Sequence, residues 1–283
     1  MQYPLIYEHN SVRVFRINDS VYYREGNLDE RRQCNGGFVV LKDCTVAIDV
    51  PSEDGAREML DESEKLFGLP IKHAFITHAH PDHDLGLPVF AEKGGITVYG
   101  AAAAPQEWAA RGVTFPGNFI GISGRERVSI EGMDFELEKL PVTAHSPWDM
   151  LVYMPAFDLM FTGDLVVNEP ILYLEHCDIQ NWVKVLGELA GRNITLLARG
   201  HGGCAPSSYL ADEIRYLKAL NNVNVYMRAH MKVAEPDVND EFMGEVLNRL
   251  CAAGNADARY IADVSGPAAY YQMTQFYRYG VKN

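Results

Sequence analysis

The chain has 283 residues, of which 47% are hydrophobic and 22% charged. This is ordinary globular usage and excludes a disordered or fibrous chain. Acidic residues outnumber basic ones 38 to 25, a net charge of −13, and no Lys/Arg block stands out. A nucleic-acid or anionic-membrane binder needs a basic footprint, so neither partner is expected. No apolar run approaches the roughly 18 residues of a membrane helix, and the opening MQYPLIYEHN lacks the basic-then-apolar layout of a signal peptide. The cysteines (Cys34, Cys44, Cys177, Cys204, Cys251) are scattered and never spaced CxxC. Neither a disulfide framework nor a thiolate zinc knuckle is expected, and a cytoplasmic location is.

In chain order, the first 50 residues alternate short β-rich runs with turns, at Val12–Ile17, Val21–Arg24, Phe38–Leu41 and Thr45–Ile48. Ala56, Met59, Leu60, Ser63 and Phe67 share one face of a helix that stops at Gly68. Ile71–Thr77 is almost wholly apolar, as a strand covered on both faces would be. A helix over Leu85–Glu92, a strand over Ile96–Tyr99 and an Ala-rich helix over Ala101–Arg111 follow. In the second half Met133, Phe135 and Leu137 alternate with acidic residues, a half-buried strand. Leu151–Met154 and Leu159–Phe161 read as a hairpin, Ile179–Ala190 as an amphipathic helix and Ile194–Ala198 as a buried strand. From Ala205 onward the pattern is almost entirely helical. Two similar mixed halves and a helical tail predict an α/β sandwich, residues 1–204, with an extension at 205–283.

The decisive stretch is Thr77-His78-Ala79-His80-Pro81-Asp82-His83-Asp84. Imidazole and carboxylate donors packed this densely suit zinc, and also iron or manganese. Chance would produce such a match about once in two thousand chains of this composition. Pro81 and the preceding strand argue against a helix here, so His78 and His80 would diverge from a loop. His145, Asp164 and His201 sit beyond further strands, Asp164 in Phe161-Thr162-Gly163-Asp164 and His201 in Gly200-His201-Gly202-Gly203. The adjoining glycines let the backbone turn tightly beside a metal or substrate.

The order HxHxDH…H…D…H closely resembles the metallo-β-lactamase superfamily, over about Asn35 to Cys204. The resemblance implies a four-layer αββα sandwich with two metal ions at one edge. It assigns His78, His80 and His145 to one ion and Asp82, His83 and His201 to the other, with Asp164 bridging both. Asp49, ending the run Thr45–Ile48, matches an early aspartate that supports a ligand histidine from behind. Two such ions can share a water, lower its pKa and deliver a bridging hydroxide to an electrophilic centre, with Asp82 orienting it. No serine or cysteine nucleophile is needed, and Gly121-Ile122-Ser123-Gly124 misses the GxSxG elbow by one residue.

Family members that hydrolyse β-lactams usually replace the bridging aspartate or use a cysteine ligand. Flavin-linked diiron members carry Glu where His80 stands, and the large nuclease branch needs a further domain. Glyoxalase II, persulfide dioxygenase and many lactonase members place a second histidine near the third motif, where this chain has Trp148-Asp149. Asp149 either supplies the missing hydrogen bond or is a turn residue. The expected activity is hydrolysis of a small ester, lactone or acyl thioester, with non-haem iron oxygen or thiol chemistry and phosphodiester cleavage as alternatives. The expected cofactor is two divalent ions, zinc first. A small-molecule substrate is the expected partner, and a homodimer is left open. Tyr173 and His176, in the loop 168–176, are the substrate-side candidates. Tyr260, Tyr270, Tyr271, Phe276, Tyr277 and Tyr279 either pack a terminal helix or line the substrate pocket.

Overall fold

The computed structural model describes residues 3–10, 12–26, 33–167, 172–230 and 239–279. Contacts divide the chain into two compact units. The first comprises residues 1–141, 148–166 and 193–207, and the second 142–147, 167–192 and 208–283.

The first unit holds two sheets. The first runs in sequence order through β1 (Leu5–His9), β2 (Val12–Arg16), β3 (Val21–Glu25), β4 (Gly36–Val40), β5 (Thr45–Ile48), β6 (Ile71–Phe75), β7 (Thr97–Ala101) and β8 (Phe119–Ile122). Strands β1 to β5 pair antiparallel, and β5 to β8 parallel. Three helical crossovers join the parallel strands: α1 (Glu53–Phe67), the pair α2 (Pro81–Asp84) and α3 (Leu87–Lys93), and α4 (Ala104–Ala110). Helix α1 shows why its residues stop and start where they do. Ser52 Oγ accepts from the Gly55 amide at 3.0 Å, Glu53 and Asp54 occupy the first turn, and Gly68 closes the helix at φ 68°.

The second sheet comprises β9 (Arg125–Ile130), β10 (Met133–Lys139), β11 (Met150–Met154), β12 (Leu159–Val167), β13 (Leu196–His201) and β14 (Cys204–Pro206). Its order is β14-β13-β12-β11-β10-β9. The alternation expected in β10 is present, with Phe135 and Leu137 fully buried. These residues interlock with Phe75, Ile48, Tyr23, Val152 and Phe161 to form the core between the sheets. A second apolar cluster, built on Phe38, Ala47, Met59, Phe90 and Trp108, joins the other face of the first sheet to α1, α3 and α4.

The second unit is helical: α5 (Ile179–Ala190), α6 (Leu210–His230), α7 (Asp240–Ala252), α8 (Ala256–Ser265) and α9 (Ala269–Tyr279). Asp178, Asn239 and Asn255 cap α5, α7 and α8 by accepting from the amides of Asn181, Phe242 and Ala258. Gln272 of α9, fully buried, pairs through its amide with both the N–H and the C=O of Leu172. Of the tail aromatics, Phe276 and Tyr277 are core residues and Tyr271 is exposed.

Four expectations need correction. Residues 81–84 do form a short helix, because Pro81 occupies its first turn, where the missing N–H costs nothing. Asp164 lies inside β12 rather than beyond it, and His201 is the last residue of β13. The chain after Ala205 begins as the strand β14, not as helix. Among the described residues no helix is long and apolar enough to cross a membrane.

Candidate metal centre

Four chain segments of the first unit converge on the site. β5 ends at Ile48 and places Asp49 in the left-handed region at φ 57°, a conformation that aspartate tolerates better than most residues. β6 ends at Phe75 and leads into the histidine run. β12 contributes Asp164 from its middle, and β13 contributes His201 from its end. Asp49 and the histidine run thus lie beyond the carboxyl ends of parallel strands, where α/β sheets place ligands.

Asp49 organises the centre from behind. Its Oδ1 accepts from the Thr77 amide at 2.7 Å, and its Oδ2 from Thr77 Oγ1 at 2.8 Å. His83 Nδ1 lies 2.9 Å from the same Oδ2. A carboxylate at Nδ1 keeps the proton there and leaves Nε2 as the outward donor. That Nε2 lies 3.1 Å from Asp164 Oδ1 and 3.6 Å from Asp82 Oδ2. His201 Nε2 closes the group, 3.0 Å from Asp82 Oδ2 and 3.5 Å from Asp164 Oδ2. One donor atom from each of Asp82, His83, Asp164 and His201 lies within 4.8 Å of every other.

His78 approaches the same carboxylate from another side, its Nε2 3.9 Å from Asp164 Oδ2. Its ring centroid is 4.6 Å from that of His80 and 4.1 Å from that of His83. His145 lies in the second unit, buried, with its ring edge-on to Trp182 at 5.2 Å. In the same unit the exposed Tyr173 meets His176 edge-on at 5.9 Å, and residues 168–171 of that loop lie outside the described residues. Asp149 is buried, and its carbonyl accepts from the Leu140 amide.

The charges are mutually dependent. Burial works to raise the carboxyls of Asp82 and Asp164, but the nearby His83 and His201 outweigh it and hold both below their ordinary values. Burial would likewise lower His83, yet Cys34 and the carboxylates of Asp164, Asp82 and Asp49 push it well above its ordinary range. A cluster that demands positive charge this strongly is chemically suited to a cation. The backbone supports that fit. A Cβ on Gly200 would sit 2.1 Å from Asp164 Oδ1, and one on Gly163 would sit 2.5 Å from Thr77 Oγ1. Both glycines therefore permit the carboxylate and the histidine loop to approach each other. N and O donors of this kind suit a divalent metal.

Thr77 has no role in the motif, and its contribution emerges only from the contacts; the close approach expected at Gly200 is present. Cys34, whose thiol lies beside His83 and Asp49, carries no local signal at all. Cys204 is a packed thiol, pushed up to about 12 by burial.

The model of the metallo-β-lactamase superfamily matches residues 29–201, more than half of the chain. Among solved structures, the chain is similar to a metallo-β-lactamase from Pontibacter korlensis at 20% identity and a TM-score of 0.64, covering 73% of this chain and 99% of that one. It is similar to VMB-1 at 19% identity and a TM-score of 0.67, covering 76% and 100%. A metallo-β-lactamase from Hirschia baltica gives 18% and 0.62, covering 73% and 97%. At these identities the structures establish the fold. With the family match and the donor groups, they show that the chain belongs to the metallo-β-lactamase superfamily, with its α/β sandwich, its C-terminal helices and the donors of a dinuclear metal-dependent hydrolase.

Proposed function

We propose that the chain hydrolyses a small ester, lactone or acyl thioester at a dinuclear zinc centre. His78, His80 and His145 would hold one ion, Asp82, His83 and His201 the other, and Asp164 would bridge them. His145 is assigned from its place in the motif order. The observation that carries the reading is the position of Asp164, within 3.1 to 3.9 Å of His83, His201 and His78 at once. A carboxylate in reach of both histidine sets is what a bridge requires.

When bound, two divalent ions supply a water acidic enough to act as nucleophile near neutral pH, and a Lewis acid for the developing oxyanion. The chain's own residues set the geometry. Asp49 holds the Nδ1 proton of His83, so that Nε2 faces the site with its lone pair. Asp82 has 23% of its side chain exposed and His201 19%, while His83 has none; of the open pair, Asp82 is the carboxylate and the residue to orient the attacking water. Tyr173, exposed on the segment after β12, and His176 beside it are proposed as substrate contacts. The free cysteines among the described residues suit a reducing cytoplasm.

The test is elemental analysis of chain purified without chelator, followed by a panel of ester, lactone, thioester and phosphodiester substrates. Two of the solved structures it resembles are named metallo-β-lactamases, so a β-lactam joins the panel. About two ions per chain are expected, with Asp164→Ala abolishing turnover on a folded chain. A single ion that added zinc, iron or manganese cannot supplement, or Asp164→Ala activity within a few-fold of the parent, overturns the dinuclear reading. Resident iron with oxygen-dependent thiol chemistry, or a preference for the phosphodiester, overturns the ester reading.

A further inference from the structure

A buried charge cluster with no part in the proposed chemistry touches both ends of the histidine loop. Asp84, directly after His83, is fully buried. Its Oδ2 accepts from Trp108 Nε1 at 2.8 Å and from Arg111 Nη2 at 2.5 Å. The same guanidinium nitrogen also donates to the carbonyl of Ala79 at 3.3 Å, the residue between His78 and His80. Arg111 is braced in turn by Glu107, whose Oε1 lies 3.2 Å from its Nε.

All the bracing groups stand on or next to α4. The Trp108 indole is fully buried and packs between Phe115 and Phe119, with ring centroids at 5.0 and 5.3 Å. Arg111 is the residue that ends the helix. The cluster therefore behaves as a rigid bracket bearing on the loop that runs from Ala79 to Asp84.

An ordinary reading exists: a buried ion pair that fastens α4 to the core. Such a pair needs only Asp84. The bond to Ala79 is what it leaves unexplained. That carbonyl belongs to the Ala79–His80 peptide, so holding it fixes the backbone between the two histidines and with it the direction of one imidazole relative to the other. Metal–ligand distances tolerate deviations of only about 0.2 Å. Both bonds leave Nη2, whose two N–H groups form a fixed fork within the guanidinium plane; a lysine ammonium is shorter and rotates freely, so it keeps the charge without those directions.

We propose that Arg111 is a positioning residue for the metal centre: by holding the Ala79 carbonyl and the Asp84 carboxylate together, it sets the directions of His78, His80 and His83 and so the affinity of the chain for its metal ions. The inference rests on the reading of those histidines as ligands.

The experiment compares the full chain with Arg111→Lys, Arg111→Met and Trp108→Phe. Each is stripped of metal, titrated with zinc against a chromophoric chelator, and loaded with cobalt(II) for its visible spectrum. Arg111→Lys keeps a charge for Asp84 but loses the fork, so zinc affinity should fall roughly ten- to a hundredfold and the cobalt bands should shift, with little change in melting temperature. Arg111→Met should bind at least as weakly and melt lower, because Asp84 is left buried without its cation. Trp108→Phe removes one donor to Asp84 and spares the fork, so its affinity should stay within a few-fold of the parent.

Full affinity and an unshifted spectrum in Arg111→Lys would make the cluster a fold-stabilising ion pair and overturn the inference, even if Arg111→Met does not fold. An equal loss of affinity in Trp108→Phe would overturn it as well. If the parent chain takes up no ion, the reading of the histidines as ligands fails, and this inference with it. That outcome is distinct from uptake that the Arg111 variants leave unchanged.

Discussion

Gly200→Ala isolates the geometry of the metal centre with a single methyl group. Gly200 does not occupy the left-handed region, unlike its neighbours Gly202 and Gly203, so alanine can adopt its backbone conformation without strain. The obstacle is space. The added carbon would lie 2.1 Å from Asp164 Oδ1, 2.9 Å from the Gly163 carbonyl carbon and 3.0 Å from His83 Cε1. Comfortable contact starts near 3.5 Å, so Asp164 or the end of β13 must yield by roughly 1.4 Å. Metal–ligand distances tolerate about 0.2 Å, and misplacement by about 1 Å can cost a hundredfold in rate. Overpacking itself costs about 1 to 3 kcal/mol, a drop in melting temperature of roughly 2 to 10 °C at this size. The expected result is a folded chain that melts somewhat lower, loses at least one ion on dialysis and turns over at least about a hundredfold more slowly. Gly187→Ala in α5, where an added Cβ meets nothing within 4 Å, should be neutral or stabilise by about 0.5 to 1 kcal/mol. Full metal content and near-parental turnover in Gly200→Ala would show that Asp164 and His83 are not held at ligand positions by this backbone approach.

Two further outcomes follow from side-chain environments. Asp49→Asn keeps the size of the residue that holds Thr77 and His83 but removes its charge. It should fold, and a competing chelator should show zinc affinity reduced roughly ten- to a hundredfold; unchanged affinity would reduce Asp49 to a turn residue. Burial raises the thiol of Cys204 from its ordinary 9.0 to about 12 and raises the phenols of Tyr23 and Tyr216 above 10.0. In each the folded chain holds its proton more tightly than the unfolded chain does. Their contribution to stability is whole below pH 9 and is lost as pH climbs through the folded values, by about 1.4 kcal/mol per pH unit for each proton. None of these three groups titrates below pH 8.5, so the urea midpoint should fall more steeply between pH 9 and 11 than between pH 7 and 8.5. A flat midpoint to pH 11 would contradict the burial of these groups.

What could be read in the sequence is what periodicity and punctuation carry. The alternation of β10, the apolar run of β6 and the Gly68 stop of α1 each announce their element, because a face must be buried or an end capped. β9 carries no strand signal in the sequence because it reads as a charged run. Its Arg125 meets Glu136 of β10 at 2.6 Å and Arg127 meets Asp134, so pairing with a neighbour, not burial, makes it a strand. Gly163 carries the signal of a turn, yet it lies within a fully buried strand. Its φ of 51° and missing side chain serve the approach of Thr77, a reason that no local pattern records. The donors were legible because three histidines and an aspartate recur within one short run. Thr77 and Arg111 are not, because each is an ordinary residue whose role exists only through partners remote in the chain.

The same remoteness explains how the donors stay together. Asp82 and Asp164 are carboxylates placed close to each other at low exposure, an arrangement that disperses unless something opposes it. Part of the opposition is the charge of His83 and His201, and part is backbone. The Asn35 amide donates to the Gly200 carbonyl at 2.7 Å, and the Val50 amide to His83 O at 2.8 Å. The Met150 amide donates to Thr77 O at 2.7 Å and the Gly86 amide to Val50 O at 3.0 Å. Each of these bonds ties a donor-bearing segment to a neighbouring segment, and none passes through a donor side chain. The segments are thus fixed by groups that metal binding leaves untouched, while the donors remain available to it. A centre built this way meets its ions with the ordering cost already met by the fold, the condition under which positioned charges contribute most to catalysis.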